Sequence, residues 1–331
     1  EGLSQGQIVR RRFFRHRAAV IALVTLSSII LFVLTSLDSK IGPIRIPGWW
    51  KWTVEDIPEL RFEDCPGGTT GCPTLSLNPT GDFGMGNHPF GQDDIGRDYF
   101  ALVMNGARRS LMIMFVIGAV SGFIGVVVGS ISGFYGKRVD AVLMRLVDFI
   151  QTVPTIIIAA VIGKAAGRVG PLFLALFLGI LGWTGLARLV RAQFLSLREM
   201  EFVDAARVAG ASNIRIAFKH ILPNAVGQII VSVTLIMAGA ILTETALSYL
   251  GFGVVAPDVS LGLLISQYES SFTTRPWLFW WPGFFIISIA LCVNFIGDGL
   301  RDAFDPRQRR RISKKERQDS ATARKLAQAN D

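Results

Sequence analysis

The sequence predicts an all-α polytopic membrane protein with six transmembrane helices and an extracytoplasmic insert between the first and the second. Three observations carry that prediction. Half of the 331 residues are hydrophobic, only 18% are charged, and the mean hydropathy is +0.44, a balance that suits helices facing lipid rather than water. The apolar residues fall in long runs, and a run of about 20 residues matches a hydrocarbon layer of roughly 30 Å. The net charge of +9 is collected in short basic blocks beside those runs, where the positive-inside rule and anionic lipid place it, so a nucleic-acid partner is not expected.

Residues 1–17 read as a cytoplasmic basic segment carrying Arg10, Arg11, Arg12, Arg15 and Arg17. The chain opens Glu-Gly, and the numbering is expected to start inside a longer product. Residues 18–37 contain no charge and make the first span; the run is long enough to cross and lacks a small-residue cleavage site, which argues against a removable signal peptide. With the N-terminus inside, residues 38–109 form the outward insert. It is rich in Pro, Gly, Trp and acids. Trp49, Trp50 and Trp52 suit an interfacial belt or a small core better than a sugar platform. Cys65 and Cys72 close a Gly-rich loop, and in an oxidising compartment a disulfide is favoured, contributing roughly 2 to 3 kcal/mol by loop entropy. Zinc ranks lower because no second ligand pair sits at a suitable spacing.

His88, Asp93, Asp94 and Asp98 invite a metal reading, but their spacing fits no ligand pattern, and a turn feeding a helix is preferred. The second span is placed at residues 110–136, with glycines at 118, 122, 125, 129 and 133 making one small-residue stripe for close helix packing. The Gly136-Lys137 ending resembles a phosphate loop only superficially: Ile131 stands where glycine is needed and Arg138 where Ser or Thr is needed, so no nucleotide site is expected. The third apolar segment is uncharged only over residues 149–163. Arg145 and Asp148 are expected at its cytoplasmic end or inside the bundle, and, three apart, they can pair. Pro154 is expected to kink it and free carbonyls for a partner or a pathway. Lys164 and Arg168 then fall in an outer loop.

The fourth span, residues 171–187, is expected to run on through Arg188 and Arg191 into the cytoplasm and lead to a polar knuckle. There Asp204-Ala205-Ala206 and Gly210 read as a short helix ending at a glycine. Ser212 caps a second helix, with Ile214, Ile216, Ala217, Phe218 and Ile221 on its apolar side, Arg215, Lys219 and His220 among its polar positions, and Pro223 as its stop. Residues 225–250 make the fifth span. Its Glu244 is the one carboxylate deep in an apolar run, read at equal weight as a pathway or gate residue and as a buried structural pair. The chain returns outside over residues 251–281, with Trp277, Trp280 and Trp281 at the interface. Residues 282–297 make the sixth span, and residues 306–331 a charged cytoplasmic tail.

Four segments carry a resemblance. The knuckle, with Glu201, Asp204, Ala205, Ala206 and Gly210 followed by Leu222-Pro223, resembles the EAA loop of ABC importer permeases, departing from it in having Asp204 for glutamate and His220 for isoleucine. HPFGQDDIGRDYF through GARRSL, GWTGLARLVRAQFLSLRE and GDGLRDAFDPR resemble the C-type permeases of the peptide and nickel branch. The resemblance covers residues 88–307. It implies a type I ABC importer permease fold, with residues 110–305 as its core and residues 196–223 as its coupling loop. It also implies a chain that is not itself an enzyme and binds no cofactor, ATP and Mg being used by partner ATPase subunits.

The implied partners are a homologous B-type permease, one or two cytoplasmic ATPases, an extracytoplasmic peptide-binding protein and membrane lipid. The implied location is the bacterial inner membrane, with both termini cytoplasmic. The implied cargo is an oligopeptide or dipeptide, with a nickel chelate or glutathione as the alternative. A different class, an ATP-independent channel or secondary transporter, needs buried titratable groups that Glu244 and Asp148 supply only thinly. A membrane enzyme lacks a constellation, since His16, His88 and His220 lie on separate parts of the chain.

Overall fold

The computed structural model describes residues 5–41, 44–60, 65, 69–75, 84, 86–166 and 170–304. Arg168, the closing Asp305-Pro306-Arg307 and the tail lie outside the described residues. A short helix, α1 (Gln5–Phe13), precedes the first span, α2 (Arg17–Ser36), which His16 caps by accepting from the Ala19 N–H. Beyond α2 a small antiparallel pair, β1 (Ser39–Ile41) and β2 (Ile44–Ile46), with Ser39 opposite Ile46, opens the insert.

The membrane helices follow: α3 (Tyr99–Tyr135), α4 (Lys137–Thr152), α5 (Thr155–Ala166), α6 (Pro171–Leu181), α7 (Thr184–Leu197), then α8 (Glu201–Val208) and α9 (Asn213–Arg215) in the knuckle, α10 (Leu222–Tyr249), α11 (Leu261–Tyr268) and α12 (Trp277–Phe304). Among the described residues, four helical stretches are long and apolar enough to cross a membrane. The pairs α4–α5 and α6–α7, bent by 70° and 41°, bring the number to six when each is taken as one span.

The glycine stripe sets the packing of α3. A β-carbon at Gly122 would lie 3.2 Å from Val233 of α10. On the next turns one at Gly125 would lie 2.9 Å from Leu186, one at Gly129 2.5 Å from the Ala187 carbonyl oxygen, and one at Gly133 2.6 Å from Phe194 Cβ, all of α7. Small residues therefore let α3 approach two different helices along one face, α10 in its outer half and α7 in its inner half.

Several expectations need correction. α3 begins at Tyr99 and not at residue 110, because Asp98 caps it by accepting from the Ala101 N–H at 2.9 Å. The last eleven residues assigned to the insert are thus helical. Arg145 does not pair with Asp148. That carboxylate instead meets Arg188 of α7 at 2.5 Å, and one turn-pair earlier Asp140 meets Arg191, so α4 is fastened to its neighbour and not to itself.

Pro154 does more than kink: with no N–H to donate, it separates α4 from α5 outright. The fourth span is broken at Gly182-Trp183, and α12 starts five residues before the proline expected to open it, so that Pro282 lies inside the helix and the Leu278 carbonyl four residues back accepts from the Tyr99 hydroxyl instead. Pro223 does not stop a helix either. The chain stays helical from Asn213 to Tyr249 by passing through a π-helical turn, Ile216–Ile221, in which the Leu222 N–H reaches back five residues to the Ala217 carbonyl. The wider ladder re-registers the hydrogen bonds immediately before the residue that cannot supply one.

Candidate functional site

The knuckle is built on the inner ends of α3 and α7. Arg198 closes α7 and donates to the Gly133 carbonyl of α3 at 3.2 Å. Met200 is extended, which turns the chain into α8, with Glu201 and Asp204 in the positive first turn and Arg207 in the negative last turn. Gly210, at φ +78°, ends it. The Ala211 N–H reaches the Ala206 carbonyl at 3.0 Å and the Gly210 N–H reaches that of Arg207 at 2.9 Å, the paired closure that requires a left-handed residue at this position. Ser212 then caps α9 by accepting from the Arg215 N–H.

Val203, Ile216, Ala217 and Ile221 sink into one cluster with Leu186, Val190 and Phe194 of α7. α8 and the π turn are thereby seated on the same helix that packs against the glycine stripe. Three apolar side chains of the knuckle stand open: Val208 is 90% exposed, Ile214 68% and Phe218 56%. Ile214 and Phe218, placed with Ile216, Ala217 and Ile221 on one apolar side, separate from them here: the π turn rotates the apolar positions apart, and these two are exposed. Glu201, Asp204, Ala205, Gly210 and Pro223 are exposed, and Ala206 and Leu222 half-buried. Arg207, Arg215 and Lys219 are exposed as well.

At the outer end, the residues entertained as a metal site are partnered by the chain's own groups. Asp98 is fully buried, accepts from Trp50 Nε1 at 2.7 Å and lies 2.8 Å from His88 Nδ1. Asp93 accepts from the Arg97 N–H at 2.8 Å, from Arg97 Nε at 2.6 Å and from the Tyr268 hydroxyl at 3.2 Å. Burial, and then the Asp93 charge, push the Tyr268 phenol above its ordinary range, so it stays a donor. Asp94 pairs with Arg275.

Cys65 and Cys72 are disulfide-bonded, with Cα atoms 5.6 Å apart. The loop they close is fastened to the His88 turn by Gln92 N–H to the Gly71 carbonyl at 2.8 Å, and the chain just beyond it by Thr74 N–H to the His88 carbonyl at 2.9 Å. The tryptophans form a small core: Trp50 packs 4.7 Å from Phe100, Trp52 stacks on His88, and Trp281 stacks on Phe90 at 3.9 Å. Trp280 faces outward.

Pro154 lies at the exposed α4–α5 bend, away from Glu244, which is enclosed in the bundle and accepts hydrogen bonds from Ser110 and Ser248. Sequence reasoning missed both serines, the exposed apolar trio of the knuckle, and Arg108, which donates to the Leu34 and Leu37 carbonyls and so closes the end of α2. The one signal available was that the knuckle carries more apolar residues than one buried face can take up, Val208, Ile214 and Phe218 among them.

Residues 125–310 match the family described as the binding-protein-dependent transport system inner membrane component, and residues 4–38 match the N-terminal transmembrane domain of oligopeptide transport permease C. The chain is 37% identical over 310 residues to an oligopeptide transport system permease protein of Haemophilus influenzae, covering 93% of this chain and 91% of that one. It is 37% identical to the protein of the same description in Escherichia coli K12, covering 93% of each. It is also 36% identical to a putative peptide permease protein of Brucella ovis, covering 92% of each. A solved inward-facing methionine ABC transporter shares the fold at a TM-score of 0.50 and 20% identity, over 62% of this chain and 96% of that chain.

Proposed function

Because this chain belongs to the family of binding-protein-dependent transport system inner membrane components, we propose that it is the transmembrane subunit of an ATP-driven importer of oligopeptides or dipeptides in a bacterial inner membrane, with both termini cytoplasmic. It pairs with a B-type permease, receives cargo from an extracytoplasmic binding protein, and leaves ATP hydrolysis to one or two cytoplasmic ATPases. The observation that carries this reading is the knuckle: an exposed apolar trio, Val208, Ile214 and Phe218, mounted on a rigid cluster shared with α7. A monomeric surface has little reason to keep such a patch, and a partner that grips it can tilt α7 and α10 together.

The test is uptake of labelled di-, tetra- and hexapeptides by cells with and without the subunit, with nickel and glutathione uptake in parallel. Loss of peptide uptake supports the reading. Loss of nickel or glutathione uptake alone would move the cargo to those classes, and peptide uptake that persists without the ATPases would favour an ATP-independent pathway.

A further inference from the structure

Glu244 lies in the outer part of α10 and is 0% exposed. Its Oε2 accepts from Ser110 Oγ of α3 at 2.9 Å, and its Oε1 from Ser248 Oγ, one turn along α10, at 2.8 Å. Each serine is itself an acceptor. Ser110 Oγ takes the Leu261 N–H at 3.3 Å and Ser248 Oγ takes the Val254 N–H at 3.0 Å. Two backbone donors thus feed two hydroxyls that converge on one carboxylate, which Ser260 also reaches; one donor lies within the segment joining α10 to α11 and the other at the first residue of α11.

That segment lies against α3, α5 and α6. Gly251, at φ +78°, releases it from α10. The Phe252 carbonyl is packed so closely on Gly163 of α5 that no β-carbon fits there. Gly253 and Val254 share a cleft with Pro171 and Leu174 of α6. Asp258 pairs with Arg109 of α3 at 3.1 Å.

We propose that Glu244 is a positioning residue for transport: it latches segment 250–261 across α3, α5 and α6, and that segment is the outer gate of this half of the importer. The proposal rests on the transport reading above. The chemistry is directional. A carboxylate accepts at both oxygens, so both serine protons point inward and both serine lone pairs point to the backbone. Gln at this position presents an amide NH2 to one serine, which then faces two donors and has no acceptor for its own proton in a sealed site.

The experiment is amide hydrogen exchange on the full importer complex in lipid nanodiscs, with ATP hydrolysis and uptake measured on the same preparations. Glu244→Gln is expected to speed exchange over residues 252–263 roughly tenfold, the order set by one buried unsatisfied group, and to leave residues 203–222 unchanged. It is also expected to raise hydrolysis without cargo while lowering uptake per ATP, a split that mere loss of folded protein does not produce. Ser248→Ala should loosen the 254 end and Ser110→Ala the 261 end, and these two carry the test if Glu244→Gln does not assemble. Unchanged exchange in the assembled variants overturns the latch. Faster exchange with coupling intact overturns the gate. A wild-type complex that imports nothing would instead remove the transport reading, whatever the exchange shows.

Discussion

Gly129→Ala adds one methyl group at the tightest point between α3 and α7. The new β-carbon would lie 2.5 Å from the Ala187 carbonyl oxygen and 2.7 Å from Val190 Cβ, where ordinary contact begins at 3.4 Å. The helices must therefore part by about 0.9 Å, the difference between 3.4 and 2.5 Å, and the obstacle is backbone, which cannot rotate aside. Overpacking of this kind costs about 1 to 3 kcal/mol, and the better helix propensity of alanine returns at most about 1 kcal/mol. Because the obstacle is backbone, the cost falls at the upper end of that range, and with the full return deducted the expected net loss is about 2 kcal/mol, a factor of roughly 30 in the folded-to-unfolded ratio.

Gly239→Ala on α10 is the matched control, because a β-carbon there meets no heavy atom within 4 Å; it should be neutral or slightly stabilising. Both variants are compared with the parent by thermal and denaturing-detergent unfolding of the purified protein in one lipid composition. Gly129→Ala unfolding at or above the parent would refute the claim that the stripe is a steric requirement.

At the knuckle, Ala205→Asp puts a charge on the exposed face of α8, and Gly210→Pro demands φ near −65° where the chain holds +78°. Both should abolish coupling of uptake to ATP hydrolysis while leaving membrane insertion intact, and loss of insertion in either would count against a docking role. Asp98→Ala removes the α3 cap and strips His88 and Trp50 of a partner. A loss of about 2 kcal/mol or more is expected, seen as faster amide exchange at residues 99–103. Cys72→Ser opens the insert loop, with a local loss of roughly 2 to 3 kcal/mol. The insert should then be cut faster by protease at the outer face, and the parent should match it only under reductant.

The parts legible in the sequence are those that one helix enforces by itself. An uncharged run of twenty residues has to be a span wherever it ends up, and a glycine after a small-residue turn has to close α8 whatever it docks against. Partnership between distant segments is a different kind of fact. Asp148 had a cation three residues away at helical spacing, yet α4 turns that cation elsewhere and offers the carboxylate to Arg188, forty residues on. Glu244 depends on Ser110, which is 134 residues away and is one serine among many.

Pro223 shows the same limit from the other side. The rule that proline ends a helix rests on the missing N–H and on the clash with the carbonyl four residues back, and both objections weaken when the preceding turn is widened to five. Whether a chain adopts that wider turn is decided by what holds it there. Here Ile216 and Ile221, at the two ends of the π turn, are both fully buried in the cluster shared with α7, and the wider turn brings a residue five places along back to the face of the first. Because the π turn runs straight into α10, a push on Ile214 or Phe218 reaches the span that carries Glu244 without crossing a loop.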